Sequence, residues 1–323
     1  MATGYRVYIP QDIREEGKAY LRDKGYTVVV GDWPRLDEDE LARCDAVLAR
    51  AATRYDRALL DKAPKLRVIG RYGVGTDNID LEYCTERGIQ VTSALLANMV
   101  AVAEHALHFI LACAKNAYEI EQLFRCGDSN FKVRDTHCGV ELENKTLGIV
   151  GLGKIGRKLA VMARGLSMKV IGFDPYVARD NAPDGVAMLP AIEDLLREAD
   201  FVSLHLPSTP ETNRLFDLSM LKKMKPTAHL INCARGGLVV ERDLIEALRR
   251  GVIAGAGIDV FEREPPAADN PLLSMRNVAA TPHMAGQTKE SLARMGVHAA
   301  MGIDDVLNGR EPAWPVNRLD KKK

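Results

Sequence analysis

The chain has 323 residues, 46% hydrophobic and 27% charged, the make-up of an ordinary globular protein long enough for two domains with separate cores. Its 44 Lys and Arg residues balance its 44 Asp and Glu residues. A net charge of zero removes any global electrostatic argument for a nucleic-acid or membrane partner.

The first residues, MATGYRVYIPQDIREEG, lack the apolar core of a signal peptide. Short runs rich in β-branched residues follow at 5–9, 27–30, 46–49, 67–70 and 90–92, separated by helical stretches such as 14–24 and 56–62. Strands alternating with helices predict a parallel sheet with helical crossovers. Residues 99–124 then read as one long helix, apolar nearly all round at its start and so buried. Glu104, His105 and His108 interrupt its apolar run, which is too short and too polar to span a bilayer. Together with the polar segment 126–145 it reads as the connection to a second unit.

A second alternation occupies 146–151, 169–174, 201–206, 229–234, 255–260 and 277–282. These runs are nearly continuously apolar, as strands covered on both faces are, and six of them fit a dinucleotide-binding sheet. Residues 288–308 read as a closing helix, and the last three lysines as a solvated tail. The six cysteines, Cys44, Cys84, Cys113, Cys126, Cys138 and Cys233, show no CxxC spacing, so they read as reduced thiols of a cytoplasmic protein.

The strand at 146–151 runs into Gly151-Leu152-Gly153-Lys154-Ile155-Gly156 and then into a helical stretch. That context turns a weak G-x-G-x-x-G pattern into a nucleotide signature. The glycines allow a tight turn, close approach to a pyrophosphate and close helix–strand packing, and the helix N-terminus offers N–H groups to the phosphates. Asp174 ends the next strand, 18 residues past Gly156. A carboxylate there accepts ribose hydroxyls and repels a 2′-phosphate, which points to NAD rather than NADP.

Ligands of open α/β sheets bind outside the carboxyl ends of the strands, which directs attention to three later segments. They carry Arg235, Glu264 and His283. Hydride removal from the carbon of a hydroxy acid needs a base near neutral pH, and His is the usual choice. A carboxylate beside it favours the imidazolium, and a fixed cation polarises the oxygen and binds the acid group. These three residues could fill the roles, although each alone could equally be a loop residue without chemistry. His105 and His108 on the buried helix, His137 in the connecting segment and His298 in the last helix are less persuasive.

In this order the motifs RYGVGTDNID (71–80), AVAEHAL (101–107), KTLGIVGLGKIGRKLA (145–160), FDPY (173–176), LHLPSTPET (204–212), INCARGGLV (231–239), DVFEREP (259–265) and TPHMAG (281–286) closely resemble the D-isomer-specific 2-hydroxyacid dehydrogenase family over nearly the whole chain. Within it the chain looks most like the 3-phosphoglycerate and hydroxypyruvate/glyoxylate branches. The resemblance implies an α/β architecture of two doubly wound parallel-sheet domains. A flavodoxin-like substrate domain would comprise 1–98 and 288–323, and a Rossmann NAD-binding domain 99–287.

The resemblance further implies an NAD-dependent oxidoreductase that moves a hydride between nicotinamide and C2 of a small D-2-hydroxy acid, D-3-phosphoglycerate among them. Hydroxypyruvate or glyoxylate reduction is the alternative, and an NAD(H)-sensing corepressor-like interaction protein is another. Arg235, Glu264 and His283 fall on the family's catalytic positions. Cofactor binding is carried to Gly151, Gly153, Lys154, Ile155, Gly156, Asp174, His205, Leu206, Pro207, Thr212, Cys233, Ala234, Asp259, His283, Ala285 and Gly286, with Asp259 holding the nicotinamide carboxamide. Substrate binding is carried to the Val74–Gly75 backbone and Asn98, and to Arg50, Arg71 and Arg134 for a distal phosphate. The partners implied are a small 2-hydroxy or 2-oxo acid and a second copy of the chain, as a homodimer or tetramer, with no nucleic acid, membrane or metal. The substrate loop, SALLANM, lacks a Pro before and a Ser after its Asn. Phe131 or Lys132 stands near a family Trp position. The chain also ends without the regulatory extension of longer phosphoglycerate members.

Overall fold

The computed structural model describes residues 4–127 and 132–319. Phe131 and the closing lysines lie outside the described residues. The chain forms two compact units, Met1–Met99 with Gly286–Lys323, and Val100–Ala285.

The first unit holds five strands: β1 (Arg6–Ile9), β2 (Thr27–Val30), β3 (Ala46–Ala49), β4 (Val68–Arg71) and β5 (Gln90–Ser93). All pairs are parallel, in the order β2-β1-β3-β4-β5. This is the flavodoxin-like order, whose direction switches between β1 and β3. Alternate residues feed two cores. Val7, Ile9, Ala46, Leu48 and Val68 join one cluster with the closing helix Lys289–Leu307, while Tyr8, Val47, Ala49, Ile69 and Val91 join another. That is the two-faced burial expected of central parallel strands.

The second unit holds β6 (Thr146–Val150), β7 (Lys169–Phe173), β8 (Val186–Met188), β9 (Phe201–Leu204), β10 (His229–Asn232), β11 (Gly255–Ile258) and β12 (Val278–Ala280). They form one parallel sheet in the order β12-β11-β10-β9-β6-β7-β8. It has seven strands, not six. The added edge strand, β8, is three residues long and among the described residues pairs only with β7. Leu147 and Ile149 face one core, Val150, Val202 and Leu204 the other.

The long helix expected over 99–124 is instead two helices, Met99–Ala114 and Ala117–Arg125. Asn116 breaks it at φ 50°, a left-handed conformation that Asn tolerates and a helix cannot continue through. The first of these helices, apart from its opening residue Met99, belongs wholly to the second unit and is no linker. Among the described residues no helix is long and apolar enough to cross a membrane, and all six cysteines are unpaired thiols.

Candidate active site

In the second unit the strands end earlier than their apolar runs, so each motif lies in a loop past a carboxyl end. The strand order reverses between β6 and β9, the place where such folds open a crevice. Gly151, at φ 96°, turns the chain out of β6 beside the carbonyl of His205. A Cβ on Gly156 would stand 2.2 Å from the Gly151 carbonyl oxygen, so only glycine lets the helix Lys154–Gly165 start this close to the strand. Gly153 caps that helix, and apart from its chain neighbours nothing among the described residues lies within 4 Å of where its Cβ would be. An open, side-chain-free helix N-terminus fits a pyrophosphate. Asp174 accepts the Leu152 N–H at 2.8 Å and the Tyr176 N–H at 2.9 Å. A carboxylate has about four acceptor sites, so it retains capacity for ribose hydroxyls.

Of the remaining expected cofactor positions, His205, Leu206, Pro207, Thr212, Cys233, Ala234, Asp259, His283 and Ala285 lie in loops past the strands of this unit, whereas Gly286 belongs to the first unit. His205 is bonded to Ser203 at 2.9 Å, and burial pushes its imidazole down to about 4, so it is neutral. Leu206 and Pro207 begin a loop that Thr212 closes, accepting the Thr209 N–H and donating to the Pro207 carbonyl. Cys233 is buried, which raises its thiol well above the ordinary value. Asn232 orders the turn after β10. Its Nδ2 donates to the Arg235 carbonyl at 2.9 Å, and its Oδ1 accepts the Ala234 N–H at 3.0 Å. Arg235 thereby leaves the turn extended, with Nη1 donating to the Ala234 carbonyl. Sequence reading gave Asn232 no role, though an Asn at a strand end is an Asx-turn signal.

His283 and Glu264 meet. Nδ1 of His283 lies 2.7 Å from Oε2 of Glu264, and both side chains are partly exposed. Oε1 of Glu264 accepts the Phe261 N–H at 3.2 Å. The Glu264 hydrogen bond raises the His283 imidazole above its ordinary value, aided by the charges of Glu264 and Asp259 and opposed by burial and Arg235. Burial pushes Glu264 up, but the His283 hydrogen bond and charge, the Phe261 N–H and Arg235 outweigh it and hold the carboxyl below its usual range. Asp259 is fully buried. Its carboxylate accepts the Met284 N–H at 2.6 Å, the Ala285 N–H at 2.9 Å and the Thr281 hydroxyl at 2.5 Å. Arg134 is exposed on the short helix Val133–Thr136.

In the first unit, Arg50 follows β3 at that sheet's own reversal, with Nη1 on the Asp12 carbonyl at 2.9 Å and its guanidinium 5.5 Å from the Tyr72 ring. Arg71 is buried, 9% exposed. Its Nε donates to the Gly75 carbonyl at 2.7 Å, and its Nη1 to the carbonyls of Tyr72 and, at 3.5 Å, Ala49. The loop of Val74 and Gly75 is thus folded around a guanidinium. Asn98 has its Oδ1 buried without a partner among the described residues, and Gly286 lies beside its side chain.

Residues 107–285 match the NAD binding domain model of the D-isomer specific 2-hydroxyacid dehydrogenases. The chain is 41% identical over 98% of its length to a D-3-phosphoglycerate dehydrogenase of Methanocaldococcus jannaschii, of which it covers 62%. It thus spans roughly three fifths of that relative's length, and 58% of the Archaeoglobus fulgidus D-3-phosphoglycerate dehydrogenase. Among solved structures, the TT0316 protein of Thermus thermophilus superposes with a TM-score of 0.88 at 36% identity, covering 96% of this chain and 99% of that one. The D-lactate dehydrogenase of Aquifex aeolicus, solved with NAD and lactic acid, gives 0.85 at 29% identity over 98% of this chain and 100% of its own.

Proposed function

The chain belongs to the D-isomer-specific 2-hydroxyacid dehydrogenase family, and on that premise we propose that it oxidises a D-2-hydroxy acid, D-3-phosphoglycerate foremost, at C2 with NAD. The observation that carries this reading is the 2.7 Å bond between His283 Nδ1 and Glu264 Oε2. It commits Nδ1 to the carboxylate and leaves Nε2 to exchange a proton with substrate.

NAD supplies the hydride acceptor when bound, and Gly153, the helix it caps and Asp174 are the groups that would hold it. In oxidation neutral His283 takes the C2 hydroxyl proton at Nε2, and Glu264 stabilises the imidazolium that results. In reduction the same Nε2 returns the proton. Arg235 polarises the C2 oxygen and binds the acid group. Val74 and Gly75 are assigned to the substrate carboxylate, Asn98 to the substrate loop, and Arg50 and Arg134 to a distal phosphate. Arg71 was expected at that phosphate too; its Nε and Nη1 donate to the carbonyls of Gly75, Tyr72 and Ala49, so its contribution includes holding the Val74–Gly75 loop. Leu111, Tyr118, Phe124 and Val140, exposed by 38–59%, leave apolar surface on the second unit and support self-association as a homodimer or tetramer. The unpaired cysteines support a reducing, cytosolic setting.

The test is an NAD-linked screen of D-3-phosphoglycerate, D-glycerate, D-lactate and glycolate. Turnover of D-3-phosphoglycerate above the others supports the reading. Preference for glyoxylate or hydroxypyruvate in reverse moves the chain to the reductase branch, and no turnover of any acid removes the enzymatic reading.

A further inference from the structure

His283 occupies the left-handed backbone region, at φ 54°, where a residue with a Cβ is strained and must be held by its surroundings. Asp259 does the holding. Its carbonyl accepts the His283 N–H at 2.7 Å, and its carboxylate takes the next two N–H groups, those of Met284 and Ala285. It also takes the hydroxyl of Thr281, two residues before the histidine. One buried carboxylate therefore grips the chain on both sides of His283.

Thr281 has a single hydroxyl proton, and a carboxylate can only accept, so that proton goes to Asp259. His105 Nε2 lies 2.9 Å from the same Thr281 oxygen and must then be the donor. Burial lowers the His105 imidazole, which suits a neutral ring carrying its proton on Nε2, and the ring is set edge-on to Phe109 at 4.7 Å. The order of donation is His105 to Thr281 to Asp259, reaching from the helix Met99–Ala114 to the turn of His283.

We propose that Thr281 and His105 are positioning residues, which act through Asp259 to fix the backbone of His283 so that its imidazole faces Glu264. The inference rests on His283 being the acid/base group. Without the Thr281 hydroxyl one oxygen of a buried carboxylate loses a donor. Asp259 then turns toward its remaining N–H partners, and the turn relaxes away from the strained φ. The charged groups facing His283 are Glu264, Asp259 and Arg235, so an imidazole leaving Glu264 loses the partner that most raises its proton affinity.

The experiment compares wild type with Thr281→Val, Thr281→Ser and His105→Phe. Two quantities are read: the titration of the His283 imidazole by NMR, assigned with His283→Gln, and steady-state kinetics with NAD and the best D-2-hydroxy acid. Thr281→Val is expected to move the His283 titration down toward the ordinary histidine value. It should also lower kcat by about tenfold or more, a part of the full contribution of an acid/base group. His105→Phe should move both in the same direction, and Thr281→Ser, which keeps the hydroxyl, should match wild type. A folded Thr281→Val protein with an unshifted His283 titration and unchanged kcat overturns the proposal. So does Thr281→Ser as impaired as Thr281→Val. If Thr281→Val does not fold, His105→Phe decides by the same two quantities. If wild type oxidises none of the acids, the assigned function fails, while the His283 titration still decides the positioning.

Discussion

The His283 imidazole and the Glu264 carboxylate share one hydrogen bond, Nδ1 to Oε2 at 2.7 Å, and each shifts the other's proton affinity toward the charged form. Oxidation needs neutral His283 and reduction the protonated form, so oxidation should rise with pH through the raised His283 value and reduction should fall. Glu264→Gln removes the anion, so the oxidation profile should move to lower pH. His283→Ala should lose on the order of 10²–10⁴ in kcat. Profiles of kcat/KM against pH for the three proteins check this; a His283→Ala enzyme with near-native kcat refutes the assignment. The pair's contribution to stability should likewise disappear as pH rises through the raised His283 value, or falls through the lowered Glu264 value.

Arg71 and Arg50 should separate in kinetics. Arg71 sits under its loop with its donors on Ala49, Tyr72 and Gly75 carbonyls, so Arg71→Met should raise KM equally for phosphorylated and unphosphorylated acids. It should also lower stability by about 2 kcal/mol or more, the scale of hydrogen bonds from a buried charged donor. Arg50→Ala should raise KM for D-3-phosphoglycerate selectively. A selective phosphate effect from Arg71→Met would return that residue to the substrate.

Asp174 should govern the choice of cofactor. Asp174→Ala should weaken NAD and raise the NADP/NAD ratio of kcat/KM. The effect on NAD has two sources, since the variant loses a ribose acceptor and also frees the Leu152 and Tyr176 N–H groups. A wild-type enzyme that prefers NADP would contradict this reading.

Asp304 should be a stability site with no catalytic effect. It is buried on the closing helix and accepts from Tyr26 at 2.7 Å, Tyr20 at 3.3 Å, Asn308 at 2.9 Å and Arg310 at 2.7 Å. Asp304→Ala leaves the buried Tyr26 hydroxyl proton without its acceptor, although Asn308 still donates to that oxygen, and should cost about 2–4 kcal/mol by urea unfolding, with kcat per folded molecule unchanged. Asp304→Asn keeps an acceptor and should cost less.

The architecture was legible because central parallel strands must be apolar on both faces. Runs such as those ending at Val150, Leu204 and Asn232 show that directly, and a glycine motif between strand and helix places the nucleotide end of the sheet. The positions of Arg235, Glu264 and His283 were legible as strand-end loops, because each follows its own apolar run. The break at Asn116 was not, since a single left-handed residue leaves no periodicity, and neither was the edge strand Val186–Met188, which joins the sheet only by pairing with β7. Nor was the direction in which Arg71 points: a basic residue at a strand end reads the same whether it meets a ligand or its own loop. Hydrogen bonds between distant residues depend on how strands and helices pack, and residue order carries no trace of them. His105 and Thr281, 176 residues apart, and Gln90 and Asn317, 227 apart, became partners only in the tertiary structure. Sequence thus determined which residues stand at the ends of the strands. Packing decided which of them face one another, because a donor 2.9 Å from its acceptor is a property of two elements brought together, not of either one alone.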